Sequence, residues 1–292
     1  MTEILTLDLD SFRPALAPGV RESAVRAIEG GGVVVLPRVN FGLSEAERRF
    51  LSAAWSDGRA KNVSLDGDRL KGARGADGDL AELKAMIARF AADAADLVVT
   101  LFPRYAPYVK RARTSYRPQP AVGRNVSWRK DDSRLHVDAF PSRPNRGERI
   151  LRVFTNLNPS EPRVWRVGET FETMAKTLLP RIRAPLPGSA ALLAALYVTK
   201  GRRSEYDHLM LNLHDRAKED MEYQRNCAQK VVAMAPGTTW LCFSDQVMHA
   251  AVSGQYMLEQ TINIPVAALY DKERAPLAIL QRLTGRALVP AG

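Results

Sequence analysis

The segment SRLHVDAFPSRPNRGERILRVFTNLNP, residues 133–159, sets a histidine and an aspartate two positions apart, His136 and Asp138, ahead of an alternating run over 149–157. Along an extended strand, positions i and i+2 leave the same face, so these two side chains are placed to share one ligand. A His-x-Asp match is a weak signal by itself. It gains support from FSDQVMHAAVSGQYMLEQTINIP, residues 243–265, where His249 follows His136 by 113 positions inside a second strand-rich stretch.

That second stretch is the clearest β-pattern in the chain. Strands over 229–235, 238–243 and 247–252 and a last one reaching Ile264 are separated by Pro236-Gly237, Ser244-Asp245 and Ser253-Gly254, which predicts an antiparallel meander. In the run 149–157, alternation puts Arg152, Phe154 and Asn156 on one face and Leu151, Val153, Thr155 and Leu157 on the other. An arginine amid apolar strand residues needs a buried partner, either a bound carboxylate or an acid of the protein itself.

The N-terminal part is helical in pattern. Residues 20–29 predict a helix ended by Gly30-Gly31-Gly32, before an apolar strand over 33–36 stopped by Pro37. These glycines precede their strand, and no GxxxxGK[ST] exists, which argues against a phosphate loop. Ser44 and Glu47 have capping-box spacing and predict a helix to about Trp55, and the Gly-rich stretch 57–78 reads as a loop. Leu80, Leu83, Ile87, Phe90, Ala94, Leu97 and Leu101 form one helical stripe ended by Pro103. Beyond Pro107 alternation takes over through about residue 158; residues 165–197 are helical in part, and 204–226 read as a polar helix or lid-like segment. His208 and His214 do not align on one helical face and read as structural.

Two imidazoles and a carboxylate on one face of an octahedral site leave three positions open, which suits non-haem Fe(II) and oxygen activation. A zinc hydrolase also uses such ligands with one water, but no HExxH-type helical spacing is present.

His136-Val137-Asp138 with distal His249 resembles the double-stranded β-helix of Fe(II)/2-oxoglutarate-dependent oxygenases. Over 116–159 and 236–265 the sequence resembles the bacterial 3-deoxy-D-manno-oct-2-ulosonic acid (Kdo) hydroxylases, with weaker likeness back to about Val33. The resemblance implies an α+β fold: a jelly-roll, cupin-like core over about 106–268, a helical part over about 1–105, inserted helices and a tail over 269–292, all as one domain. It implies His136, Asp138 and His249 as ligands of Fe(II), with 2-oxoglutarate and O2 as cosubstrates. Many superfamily members keep a cation about ten residues after the distal histidine; here Met257-Leu258-Glu259-Gln260 has none. Arg152 is therefore the expected partner of the far carboxylate of 2-oxoglutarate, since a guanidinium fork matches it in shape. Arg117 is the second candidate, and Asn156 is either a donor to the cosubstrate or a turn-side hydrogen bonder.

The implied reaction hydroxylates C3 of Kdo in Kdo-lipid A, giving succinate and CO2. Residues that carry charge toward such an anionic glycolipid include Arg124, Arg129, Lys130, Arg143, Arg146 and Arg149, then Arg202 and Arg203. The net charge of +10 over 292 residues fits an anionic partner, while the signatures of common nucleic-acid modules are missing, so no nucleic acid is expected. Cys227 and Cys242 make no disulfide framework, the start MTEILTLDLD has no signal-peptide pattern, and no apolar run is long enough to span a bilayer. The expectation is a cytoplasmic protein, peripheral at the inner face of the inner membrane. Two other readings remain: an oxygenase acting on a protein side chain or nucleobase, and a metal-free barrel that binds anionic glycolipid.

Overall fold

The computed structural model describes residues 1–123, 126–186 and 188–290. In chain order the elements are β1 (Ile4–Thr6), α1 (Val20–Glu29), β2 (Val33–Leu36), β3 (Val63–Asp66), β4 (Arg69–Lys71), α2 (Asp77–Leu101), β5 (Lys110–Arg117), β6 (Arg149–Asn156) and β7 (Arg163–Val167). They continue with α3 (Phe171–Leu178), α4 (Ser189–Ala195), α5 (Glu205–Glu219), α6 (Met221–Asn226), β8 (Lys230–Met234), β9 (Thr239–Phe243), β10 (His249–Ser253), β11 (Met257–Ile264) and α7 (Pro276–Thr284).

Eight strands make one sheet in the order β1-β2-β9-β6-β11-β5-β3-β4, and three make a second in the order β10-β7-β8. The four C-terminal strands are thus not the meander their turn spacing predicts. β8 and β10 flank β7 in the small sheet, whereas β9 and β11 flank β6 in the large one. The chain changes sheet at each turn, which is the double-stranded β-helix. β9 explains why: all five of its residues are buried, whereas a meander strand would keep one face in water.

Alternation along the large sheet sorts two layers. Leu151, Val153, Leu241, Phe243, Leu258 and Ile262 turn outward onto the apolar stripe of α2, through Leu83, Ile87, Phe90, Ala94 and Leu101. Each such Leu, Ile or Phe contributes about 1.5–3 kcal/mol on full burial. Between the sheets, Phe154 and Trp240 stack at 5.2 Å with Trp165 edge-on to both, and Val33, Val35 and Met257 close this inner layer. A third cluster, of α3, α5 and α7, backs Leu135, Val137, Met248 and Ala250 around the future site.

Three local expectations change. The capping-box bonds of Ser44 and Glu47 both form, at 3.2 and 2.9 Å, but only two 3-10 turns follow, Glu47–Phe50 and Ala53–Trp55. The Trp55 indole N–H takes the Arg49 carbonyl at 2.8 Å, which a continuing helix would need for itself. Within 57–78, β3 and β4 form a hairpin with Asp66 opposite Arg69, turning at Gly67 with φ of +58°. Residues 204–226 are two packed helices rather than a lid: Leu209, Met210 and Leu213 are buried, and Ser204 with Asp207 completes a capping box. The tail over 269–292 contains α7, which packs on α3.

Candidate metal centre

His136 and His249 are brought together by backbone. Each donates its N–H to the carbonyl of the other, at 3.1 and 2.9 Å, and Asp138 N–H donates to the Ser244 carbonyl at 2.7 Å. The Gln224 side chain holds the preceding residue from both sides, accepting from Leu135 N–H and donating to its carbonyl, each at 2.8 Å. One ligand atom from each of His136, Asp138 and His249 then lies within 4.8 Å of the others. Nδ1 of His136 donates to the Arg134 carbonyl at 2.7 Å and Nδ1 of His249 to the Val247 carbonyl at 2.8 Å. These bonds fix the tautomer and leave each Nε2 lone pair for a metal.

Burial pushes both imidazoles down, His136 far below the ordinary histidine value with the neighbouring His249 adding to the effect, so they stand neutral. Burial acts to raise the Asp138 carboxyl, but the Arg152 guanidinium outweighs it and, with a hydrogen bond from the Ser244 side chain, holds the group ionised. Two bare nitrogens and a carboxylate make a donor set that a divalent cation satisfies.

Beside this cluster is a cavity of about 400 Å3. Arg152, from β6, and Arg117, from β5, both line it. They meet on Glu259 of β11: Arg117 Nη2 donates at 2.6 Å, Arg152 Nη1 donates to the other oxygen, and Arg152 Nη2 also lies 3.0 Å from Asp138. Asp132 closes the far side with Lys61 at 2.6 Å and Arg117 at 3.3 Å. Burial opposes ionisation of Asp132 and Glu259, yet the adjacent cations keep both carboxyls below their usual range. Among the described residues, the buried Nε of Arg117, Nε of Arg152 and Nε1 of Trp165 in the cavity wall have no acceptor. A small dianion is the kind of ligand that would supply the acceptors they lack.

The model of the 3-deoxy-D-manno-oct-2-ulosonic acid (Kdo) hydroxylase family matches residues 12–287. The chain belongs to the Kdo hydroxylase family. Among solved structures it is similar to the Kdo hydroxylase KdoO, a non-heme Fe(II) α-ketoglutarate-dependent dioxygenase, in its complex with α-ketoglutarate and Fe(III): 44% identity, TM-score 0.94, covering 98% of this chain and 97% of that one. The cobalt(II) complex of KdoO aligns with TM-score 0.96 at 44% identity over 99% and 98% of the two chains. The succinate and Fe(III) complex aligns at 43% identity, with TM-score 0.95 over 99% and 98%. No curated protein matches.

In this member of the Kdo hydroxylase family several sequence-level candidates have other work. Asn156 is not a cosubstrate donor: its amide donates to the carbonyls of Glu161, Met234 and Ala235, and its oxygen accepts from Asn158 N–H. Arg149 is wholly buried, bonded to Asp245 at 2.7 Å and Gln246 at 2.6 Å, and so pins the turn that leads into His249. Arg129 stacks on Trp128 and pairs with Asp215, and Arg146 has its N–H on Asp207; neither lines the cavity. Arg143 does line it, and Arg124 lies outside the described residues.

Other residues at the site carried little warning. Glu259, ten residues after His249, is the acid that joins Arg117 to Arg152. Arg163 and Trp165 line the cavity from β7, and the alternation of Arg163-Val164-Trp165-Arg166-Val167 was their available signal. His214, on α5, packs edge-on against the His136 ring at 5.3 Å with Nδ1 2.9 Å from Asp215. Its spacing from His208 gave no hint of this, and His208 instead meets the Arg183 carbonyl at 2.9 Å.

Proposed function

We propose that the protein is an Fe(II)- and 2-oxoglutarate-dependent oxygenase that hydroxylates C3 of Kdo in Kdo-lipid A, with succinate and CO2 as coproducts. The observation that carries this reading is the meeting of three metal-ready acceptors with a cavity whose wall holds unpaired guanidinium donors. His136, Asp138 and His249 would hold the ferrous ion, which when bound supplies oxygen activation and chelation of the keto acid.

The chain's own groups do the placing. The Nδ1 bonds of His136 and His249 hold the rings in orientation. Arg152, with Arg117 behind it, would receive the far carboxylate of 2-oxoglutarate, and Glu259 keeps both guanidinium groups aimed at the cavity. Phe154 and Trp165 form an apolar wall that limits stray water beside the metal. Arg143 is the sequence candidate positioned to meet an acidic sugar at the rim.

A lipid-linked substrate would bring the protein to the cytoplasmic face of the inner membrane as a peripheral protein; among the described residues no helix is long and apolar enough to cross a membrane. The deciding experiment incubates purified protein with Fe(II), 2-oxoglutarate and Kdo-lipid A and follows succinate and a product heavier by one oxygen atom. Succinate without that product, or turnover only with peptides or nucleobases in a substrate panel, would reject the assignment.

A further inference from the structure

One stretch of the surface has the wrong composition for contact with water. Leu186 is 78% exposed, Leu192 60%, Leu196 62%, Tyr197 93% and Val198 55%, and no residue of α4 is buried. Exposed apolar groups collected this way mark an interaction surface. The flanking charge is one-sided: residues 173–204 include six Lys or Arg and no Asp or Glu. Arg183, Lys200 and Arg202 among them are exposed. The stretch is also fastened to the mouth of the cavity, since Lys200 N–H donates to the Ser142 carbonyl at 2.8 Å and Arg203 donates to the carbonyl of Pro141. Pro141, Ser142 and Arg143 themselves line the cavity.

We propose that the surface built around α4 docks the protein on an anionic lipid bilayer. Leu192, Leu196 and Tyr197 enter the boundary between headgroups and acyl chains, while Arg183, Lys200 and Arg202 meet lipid phosphates. Apolar side chains embedded beside a rim of cations are the chemistry of an interfacial anchor. A second copy of this chain is a poor occupant, because it would bring the same acid-free basic rim against its own likeness. The choice of a bilayer rests on the reading of the substrate as lipid-linked. The consequence for that reaction is positional: because Lys200 and Arg203 tie this surface to Ser142 and Pro141, docking would bring the cavity mouth close to the headgroups, where a glycolipid could reach it without leaving its leaflet.

The test is co-sedimentation of the full chain with phosphatidylcholine vesicles, with and without phosphatidylglycerol, and with no Kdo lipid present. Wild type is expected to bind the anionic vesicles, less so at high salt, and Leu192→Asp/Leu196→Asp to bind at least tenfold more weakly with unchanged cobalt(II) binding and melting temperature. Tyr197→Ser serves as a second variant that leaves the core untouched and is expected to weaken binding severalfold. Equal binding by wild type and variants overturns the proposal. So does a wild-type dimer in sedimentation velocity that the double variant abolishes while neither protein binds vesicles. Because the vesicles contain no Kdo, failure of the hydroxylase reading leaves these results unaltered. Failure of the docking proposal leaves turnover of detergent-dispersed substrate intact.

Discussion

Arg152 stands between Glu259 and Asp138, bonded to the first and 3.0 Å from the second, so one guanidinium joins the candidate metal ligand to the acid that also holds Arg117. The expected effect of Arg152→Met follows from that position. The far carboxylate of 2-oxoglutarate loses a charge-assisted pair worth about 1.5–3 kcal/mol, so its Kd rises about ten- to hundredfold. Cobalt(II) affinity changes much less. Titration of each ligand checks this, and an unchanged 2-oxoglutarate Kd would move the role to Arg117.

Glu259→Gln removes the charge that balances two buried guanidinium groups. Leaving them with only Asp132 and Asp138 as acidic partners is expected to lower stability by about 1–3 kcal/mol in the absence of ligand. A dianionic cosubstrate then replaces part of the lost charge, so 2-oxoglutarate with metal should raise the melting temperature more in the variant than in wild type. Equal ligand-induced shifts would mean that Glu259 and the cosubstrate do not meet the same arginines.

Arg149 distinguishes an architectural arginine from a substrate contact. Its guanidinium is fully buried on Asp245 and lies 3.9 Å over the Phe243 ring. Arg149→Met strands the Asp245 carboxylate in the core and should cost about 3–5 kcal/mol in urea unfolding, while the double variant with Asp245→Leu recovers much of it. A stable single variant with impaired turnover would instead restore Arg149 to the substrate-binding group.

The candidate ligands were legible because a two-residue step along a strand and a distal histidine are local patterns, and the residue types themselves name the chemistry. Sheet membership was not legible in the same way. Turn residues at Pro236-Gly237 and Ser244-Asp245 announce a change of direction but not which sheet receives the next strand; only the full burial of β9 reveals the crossing. The roles of Asn156 and Arg149 were hidden for a related reason. Alternation assigns a side chain to a face, while its partners, three carbonyls for one and Asp245 for the other, come from distant parts of the chain. The hairpin at Gly67 was present in the sequence as a Gly-Asp pair between short alternating runs, and the density of glycines around it masked the pattern.

The two buried imidazoles set a pH dependence whose sign is fixed. Both are depressed below the ordinary value of about 6.5, so above that pH neither folded nor unfolded chain holds the protons and stability is flat on their account. As pH falls through 6.5, the unfolded chain takes up protons that the folded one refuses. Stability then drops by up to about 1.4 kcal/mol per pH unit for each imidazole. Urea midpoints of the metal-free protein at stepped pH should show this slope, reduced in His136→Gln. Identical slopes in wild type and variant would place the acid sensitivity elsewhere.

Gly254 ties the turn before β11 to the cavity wall. Its φ is +107°, its carbonyl accepts from Arg163 Nη1 at 2.9 Å, and a Cβ added there would lie 2.8 Å from Arg163 Cδ and 2.9 Å from Arg163 Cα. Gly254→Ala therefore combines a backbone conformation that L-residues avoid with a clash against main chain, which cannot rotate away as a side-chain tip can. The expected cost is about 1–3 kcal/mol. Because Arg163 and Trp165 share β7 and both line the cavity, the displacement should also weaken 2-oxoglutarate binding severalfold. Gly254→Ala combined with Arg163→Ala removes only the Cδ contact and leaves both the backbone strain and the approach to Arg163 Cα, so stability should recover only in part. Full recovery would mean that strain at Gly254 contributes nothing and that the glycine serves only to make room for the arginine.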